Sequence, residues 1–303
     1  MTAIFFDYDG SDEARRKLLF RGQLLVYSPR RSSLALVEFA RELIREAFGA
    51  LEPRDAQHSL PVEEYVAILS QLKPKFINHP TSKDLVRGIL AEIGCNPGNT
   101  YFDVPRMRTA TSGGYLTSGI AYAFHPHRDT WYSAPTSQIN WWMPIYDIEP
   151  DSAMAFHTRY WDSPIDNESN EFNYYEYVQT SRKDAAKHVK KDTRKQPRAT
   201  APVELDPQLR VITRAGGMLL FSGAHLHSTV PNTTDRTRFS IDFRTVHLDD
   251  VAAKKGAPNI DSACIGTALR DFMRASDLSR IPEELVLPYE NTAEIRPSLD
   301  EVR

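Results

Sequence analysis

The sequence predicts a mainly β fold, a barrel or sandwich with flanking helices, packed on one side by an N-terminal helical third. Three observations carry this. From about Tyr101 to Leu248 the chain is a series of short β-rich runs separated by Gly, Pro, Asn and Asp. Two segments inside that stretch alternate with period two. Ahead of it, apolar residues recur at three- and four-residue steps, the spacing of amphipathic helices. The expected organisation is a single domain over 1–303. Residues 1–100 form a helical support, 101–250 a β core carrying an insertion at 161–200, and 251–303 a C-terminal helical extension and tail.

In the support, Leu36, Val37, Ala40, Leu43, Ile44 and Ala47 predict a helix over Ser33 to Gly49, with Gly49 as its stop. A second helix is expected over Val62 to Leu72, opening after Pro61 and ending before Pro74. A third opens with Thr81-Ser82-Lys83-Asp84, carries Leu85, Val86, Ile89, Leu90 and Ile93, and stops at Gly94. These are packing elements without evident chemistry. In the core, Ser137 to Ile145 sets Gln138, Asn140 and Trp142 against Ile139, Trp141 and Met143. Arg238 to Val246 sets Arg238, Ser240, Asp242 and Arg244 against Phe239, Ile241 and Phe243. Between them, Trp161 to Arg198 reads as an insertion, first aromatic and acidic (Phe172, Tyr174, Tyr175, Tyr177) and then basic from Arg182 to Arg198. Its basic half fits a solvated helix face or a mobile loop.

Composition narrows the function classes. The 303 residues hold 37 Lys+Arg against 40 Asp+Glu, a net charge of -3, so no global field draws nucleic acid or an anionic membrane. Cys95 and Cys264 provide neither a disulfide scaffold nor a CxxC pair, which points to a reducing, cytoplasmic setting. MTAIFFDYDGSDEARR is not a signal peptide, and no uncharged stretch reaches membrane-spanning length. The expected partner is a small molecule. Oligomeric state is not readable.

The strongest chemical signal is His127-Arg128-Asp129, followed far downstream by His227 in GGMLLFSGAHLHSTVPN. In extended chain, residues two apart project to one side, so a His-x-Asp tripeptide can aim an imidazole and a carboxylate at one point. A second histidine from another strand completes three ligands. Two histidines and one carboxylate on one face of an octahedral metal leave three open positions, the arrangement of non-haem Fe(II) oxygenases. The tripeptide alone is weak: His247-Leu248-Asp249 also matches, but no histidine follows it. Arg238 adds to the signal. It starts the second alternating strand, and Ser240 shares its face, so the pair can grip the far carboxylate of a dicarboxylate co-substrate chelated to the metal. Arg236 shares that parity, and periodicity alone does not choose between them.

These residues resemble the Fe(II)/2-oxoglutarate-dependent dioxygenases, most closely their phytanoyl-CoA-dioxygenase-like branch, over roughly Ala121 to Phe243. Gly217, Leu219, Phe221, Gly223, His227, Thr229 and Asn232 fall on the family's distal-histidine pattern, and Arg238 on its 2-oxoglutarate-binding arginine. The resemblance implies a double-stranded β-helix (jelly roll, cupin-like) core. It implies Fe(II) held by His127, Asp129 and His227, with 2-oxoglutarate anchored by Arg238, Ser240, Thr229 and Trp142. Dioxygen is then the second co-substrate, and a small molecule of specialised metabolism is hydroxylated with release of succinate and CO2. Desaturation, ring closure or epimerisation are other outcomes of that chemistry. Asp129 argues against a halogenase, in which a small residue stands there. The family's Pro-Gly-Ser-His segment appears only as Ala155-Phe156-His157-Thr158, which bears on substrate contacts and not on the metal set. Gln138 and Asn140 lie on the presumed pocket face, and the tyrosine-rich insertion is a candidate lid.

Three other readings compete. A metal-binding cupin that does not use 2-oxoglutarate would converge His125, His127, His225 and His227, but leaves Arg238 and Ser240 without a task. A haloacid-dehalogenase-type phosphatase is suggested by Phe5-Phe6-Asp7-Tyr8-Asp9-Gly10, with Asp249-Asp250 as its later acidic motif. A binding module that kept the barrel and lost catalysis is the third.

Overall fold

The computed structural model describes residues 1–116, 125–181 and 196–290. The segment Ala121–Phe124 ahead of His125, the basic run 182–195 and the tail 291–303 lie outside the described residues. In chain order the strands are β1 (Ile4–Phe6), β2 (Leu24–Tyr27), β3 (Thr100–Phe102), β4 (Arg106–Ala110), β5 (Ile139–Pro144), β6 (Met154–Phe156), β7 (Leu209–Val211), β8 (Met218–Ser222), β9 (His227–Thr229), β10 (Arg238–His247) and β11 (Met273–Arg274). They form an eight-stranded sheet ordered β1-β2-β8-β5-β10-β3-β11, with β4 also on β10, and a three-stranded sheet ordered β7-β6-β9.

The long strand β10 is the spine of the larger sheet. One edge pairs with β5 over Ser240–Thr245; the other pairs first with β4 and then with β3. Period-two alternation here separates two buried faces rather than a wet face from a dry one. Ile139, Trp141, Met143, Phe239, Ile241 and Phe243 pack with the N-terminal helices. Trp142, Leu219 and Phe221 turn the other way, onto Met154, Phe156 and Val211 of the smaller sheet. Burial on both sides explains why all six residues of β5 are buried. Trp141 stacks on Phe243 with ring centroids 5.4 Å apart and donates from its indole to Thr245 Oγ1 at 2.9 Å.

The helices are α1 (Asp12–Phe20), which joins the parallel pair β1 and β2, then α2 (Arg31–Phe48), α3 (Val62–Asn78) and α4 (Pro80–Glu92). In α2 the buried stripe is Leu36, Val37, Ala40, Leu43, Ile44 and Phe48, and Gly49 ends it at φ 60°. Helix α3 departs from the sequence expectation, because it continues through Pro74 to Asn78. An interior proline costs roughly 3 kcal/mol. Leu72 and Phe76, at 2% and 0% exposure, flank it; full burial of each stabilises by about 1.5–3 kcal/mol and offsets that cost. The same helix buries Lys73, whose Nζ donates to Thr109 Oγ1 at 3.0 Å. Helix α4 starts one residue earlier than expected, with Pro80 at its first position, where its missing N–H costs nothing.

The C-terminal stretch, expected to be helical, holds only short elements among the described residues: α6 (Leu248–Ala252), α7 (Glu283–Val286) and 3-10 turns beside β11. Its apolar residues pack instead with the aromatic half of the insertion, where α5 (Tyr174–Glu176) lies. No described helix is long and apolar enough to cross a membrane.

Candidate metal centre

The site starts from a backbone register. His127 and His227, far apart in sequence, form an isolated antiparallel bridge in which each main-chain N–H donates to the other's carbonyl at 3.0 Å. Directly paired residues of an antiparallel ladder project their side chains to the same face. The two imidazole centroids accordingly lie 4.4 Å apart. Asp129 enters from the next turn, where its N–H donates to Gly223 O at 2.8 Å. One ligand atom from each of His127, Asp129 and His227 lies within 4.8 Å of the others.

The tautomers are set by the chain itself. His127 Nδ1 is 2.8 Å from His125 O and His227 Nδ1 is 3.0 Å from His225 O, so each Nδ1–H donates to a carbonyl and each Nε2 is directed to the centre. Those Nε2 atoms lie 3.4 and 3.9 Å from Asp129 Oδ1. Three lone-pair donors facing one another at such distances require a cation between them: a proton in the simplest case, a metal ion in the coordinating one. Burial pushes His227 down to about 4, with His127 acting in the same direction, so its imidazole is neutral at pH 7 and able to coordinate. Burial acts to raise the Asp129 carboxyl, but protonation of His127 or His227 at the shared centre, together with the nearby Arg244, outweighs it and holds the group below the ordinary carboxylate range.

The other carboxylate oxygen is occupied. Asp129 Oδ2 accepts from Gln138 Nε2 at 2.9 Å and from Asn140 Nδ2 at 2.7 Å, and Gln138 Nε2 also donates to Asn140 Oδ1 at 2.9 Å. Reversing the Gln138 amide would set its carbonyl against the carboxylate, so the acceptors fix its orientation. The intervening residue Arg128 is almost wholly buried. It donates to the carbonyls of Ala224 and Ser163 at 2.6 and 3.0 Å, to that of Tyr160, and to Asp261 Oδ2 at 3.0 Å.

The sequence-predicted anchor residues are also placed. Arg238 begins β10, is 8% exposed, donates from Nη1 to Ser152 O at 2.9 Å and stands over the Trp142 ring at 5.6 Å. Its Nε and Ser240 Oγ are buried and have no hydrogen-bond partner among the described residues. Burial pushes Arg238 down to about 10, which leaves it cationic at neutral pH. Arg236 is different: half exposed, with Nε 3.2 Å from Asp55. Thr229 ends β9 opposite Met154 and is partly buried.

The structure also places the residues behind the competing readings. His125 and His225 turn their Nε2 atoms to Pro197 O and Gly22 O, at 2.9 and 3.1 Å, so the described centre has two imidazoles rather than four. Shared parity did not hold at His225 because it lies in a turn ahead of β9 rather than on the strand. Asp7 closes a turn, accepting from Ser28 N, Ser28 Oγ and Arg30, and Asp250 pairs with Arg16. His247 caps α6 by accepting from Asp249 N at 3.3 Å. His157 lies at the end of β6, its Nε2 3.0 Å from Ser228 Oγ.

The insertion is closed at its base by an Asn167–Ala199 bridge, and its aromatic half reaches the centre through a ring chain. Tyr132 meets His127 edge-on at 5.4 Å, and Phe172 meets Tyr132 at the same distance. The sequence reading placed Gln138 and Asn140 on the pocket face but missed their bonds to Asp129. It also missed Arg128 and Asp261. Only the shared parity of Gln138, just ahead of β5, and Asn140 on it pointed inward; what they reach is set by tertiary register.

No family model matches the chain, and no curated protein matches it. Solved structures do. EvdO2 from Micromonospora carbonacea var. aurantiaca, complexed with 2-oxoglutarate, is similar at 14% identity over 79% of this chain and 93% of that one, with a TM-score of 0.45. The epimerase SnoN, in complex with Fe3+, alpha ketoglutarate and nogalamycin RO, is similar at 17% identity over 78% of this chain and 85% of that one, with a TM-score of 0.40. The non-heme monooxygenase ThoJ, as its Ni complex, is similar at 12% identity over 91% of this chain and 94% of that one, with a TM-score of 0.37.

Proposed function

We propose that this chain is an Fe(II)- and 2-oxoglutarate-dependent oxygenase that oxidises a small molecule, with hydroxylation as the default outcome. On this reading residues 1–303 are one cytoplasmic domain with a double-stranded β-helix core, in the phytanoyl-CoA-dioxygenase-like branch. The observation that carries it is the convergence of one ligand atom each from His127, Asp129 and His227 within 4.8 Å. Two imidazoles and one carboxylate are the donor set that suits ferrous iron with open positions.

The residues present also fit the co-substrate. Arg238 Nε and Ser240 Oγ are buried hydrogen-bonding groups without partners among the described residues, on one face of β10. A buried cation with an unmet donor invites an anion, and a guanidinium takes a carboxylate with charge-assisted bonds. Trp142 forms a wall beside Arg238; Thr229 is assigned a further hydroxyl contact. With iron at +2, Asp129 at −1, the dicarboxylate at −2 and Arg238 at +1, the buried charge closes to zero. When bound, the iron and 2-oxoglutarate supply the oxidising chemistry, consuming dioxygen and releasing succinate and CO2. The chain's own part is to hold both in place, keep the imidazoles in one tautomer and exclude water.

The test is anaerobic loading with Fe(II), followed by an assay for oxygen-dependent conversion of 2-oxoglutarate to succinate. The wild type is expected to retain one equivalent of iron and to turn over faster when a candidate metabolite fits. His227→Ala is expected to lose both iron and turnover while keeping its circular dichroism. Unchanged iron content and activity in that variant would reject the assignment.

A further inference from the structure

Gln138 and Asn140 have a task beyond packing. We infer that they form an amide clamp that holds Asp129 to a single coordinating oxygen and so keeps a third position on the metal open. The inference rests on the iron-centre reading above and deepens it.

A carboxylate can bind a cation through one oxygen or through both. At an octahedral ion with two imidazoles, one-oxygen binding leaves three positions, enough for a chelating oxo-acid and one further ligand. Two-oxygen binding leaves two, and the chelate alone fills them. Nothing in the tripeptide decides between these modes, because Asp129 carries both oxygens on one rotatable carboxyl group. The surroundings decide it. Asp129 Oδ1 faces the two Nε2 atoms, while Oδ2 accepts two N–H donors, at 2.9 Å from Gln138 and 2.7 Å from Asn140. Rotation to chelate the ion would pull Oδ2 away from both.

The donors are themselves held. Gln138 is fully buried, Asn140 is 6% exposed, and the hydrogen bond from Gln138 to Asn140 Oδ1 turns the Asn140 amide so that its nitrogen meets Asp129. Gly223 closes the remaining side: a Cβ there would stand 3.2 Å from Gln138 Nε2 and 3.3 Å from Asp129 Cβ. Gln138 therefore acts twice, once directly and once by orienting Asn140. These are positioning residues, acting through Asp129.

The experiment uses the full chain, metal-free, titrated with Mn(II) and separately with Co(II). Asn140→Leu and Gln138→Leu keep much of the volume and remove the donors; Asn140→Ser is the milder variant should the apolar ones fail to fold. Each variant is first shown to melt cooperatively without metal. The expected result is a 10- to 100-fold weaker Mn(II) affinity in each, with a double variant less than additive because Gln138 works partly through Asn140. The visible Co(II) spectrum should also change in intensity as the freed carboxylate adds its second oxygen. Wild-type affinity and an unchanged Co(II) spectrum in folded Asn140→Leu or Asn140→Ser would overturn the clamp alone, provided His227→Ala no longer binds. If wild type and His227→Ala bind Mn(II) equally, the metal centre falls and the clamp with it.

Discussion

Arg128 stands between two of the proposed metal ligands, yet its guanidinium is committed to Asp261, with Nε 3.0 Å from Oδ2 and both side chains buried. The same carboxyl accepts from the Trp131 indole at 2.7 Å and from Ile165 N at 3.1 Å. Asp261 thereby ties the turn that carries Asp129 to the start of the insertion. Burial lowers Arg128 from its usual range, and Asp261 opposes that shift.

Removing Asp261 should therefore damage more than a surface pair would. Asp261→Ala leaves a buried cation without its counter-charge and is expected to destabilise the chain by about 3–5 kcal/mol. Urea denaturation of the metal-free protein measures this. A loss below about 1 kcal/mol, the scale of an exposed pair, would show that the Arg128–Asp261 contact does not hold the turn.

Arg238 and Arg236 separate cleanly. Arg238→Ala removes the charge-assisted contact proposed for the co-substrate and should raise the KM for 2-oxoglutarate about 10- to 100-fold, the equivalent of roughly 1.5–3 kcal/mol. Arg236→Ala breaks a half-exposed pair with Asp55 and should leave the KM within about twofold. Steady-state kinetics at varied 2-oxoglutarate decides it, and the opposite pattern would exchange the two roles.

Gly223→Ala should act on the metal rather than on the fold. The added methyl would press on Gln138 Nε2 and Asp129 Cβ, contacts that need a shift of a few tenths of an ångström. Mn(II) titration is expected to show several-fold weaker binding, with a metal-free melting temperature near that of wild type. Affinity equal to wild type would mean that the carboxylate tolerates the displacement.

Lys73 gives the chain an alkaline signature. Burial lowers it from 10.5 to about 7. Between those values the unfolded chain binds a proton that the folded chain does not, so stability rises with pH, by at most about 1.4 kcal/mol per unit. The gain is complete above the unfolded value and is lost as pH falls through about 7. Lys73→Met should flatten the curve between pH 7 and 9.5 and raise stability at pH 7. Denaturant midpoints across that range check both expectations.

The sequence made some of this legible and not the rest, for physical reasons. The two faces of β5 and β10 follow from period two, which is local, and the helix stripe of α2 follows from its 3.6-residue period. Pro74 misled because the rule for proline is local, whereas the burial of Leu72 and Phe76 that overrides it is tertiary. The three candidate ligands were visible because a His-x-Asp tripeptide and a later histidine are sparse features. The amides on Asp129, the carbonyls of His125 and His225 and the Asp261 contact were not. Each depends on how segments remote in sequence come into register.

That register has a consequence for resistance to unfolding. The His127–His227 bridge closes a loop of roughly 100 residues, and the entropy of such closure is on the order of 4 kcal/mol. An ion gripped by both imidazoles would staple the same two ends with bonds stronger than the paired amides. Chelator treatment would then do more than silence chemistry: it would unlock the seam where the smaller sheet meets the turn of Asp129, and proteases should find the protein there first.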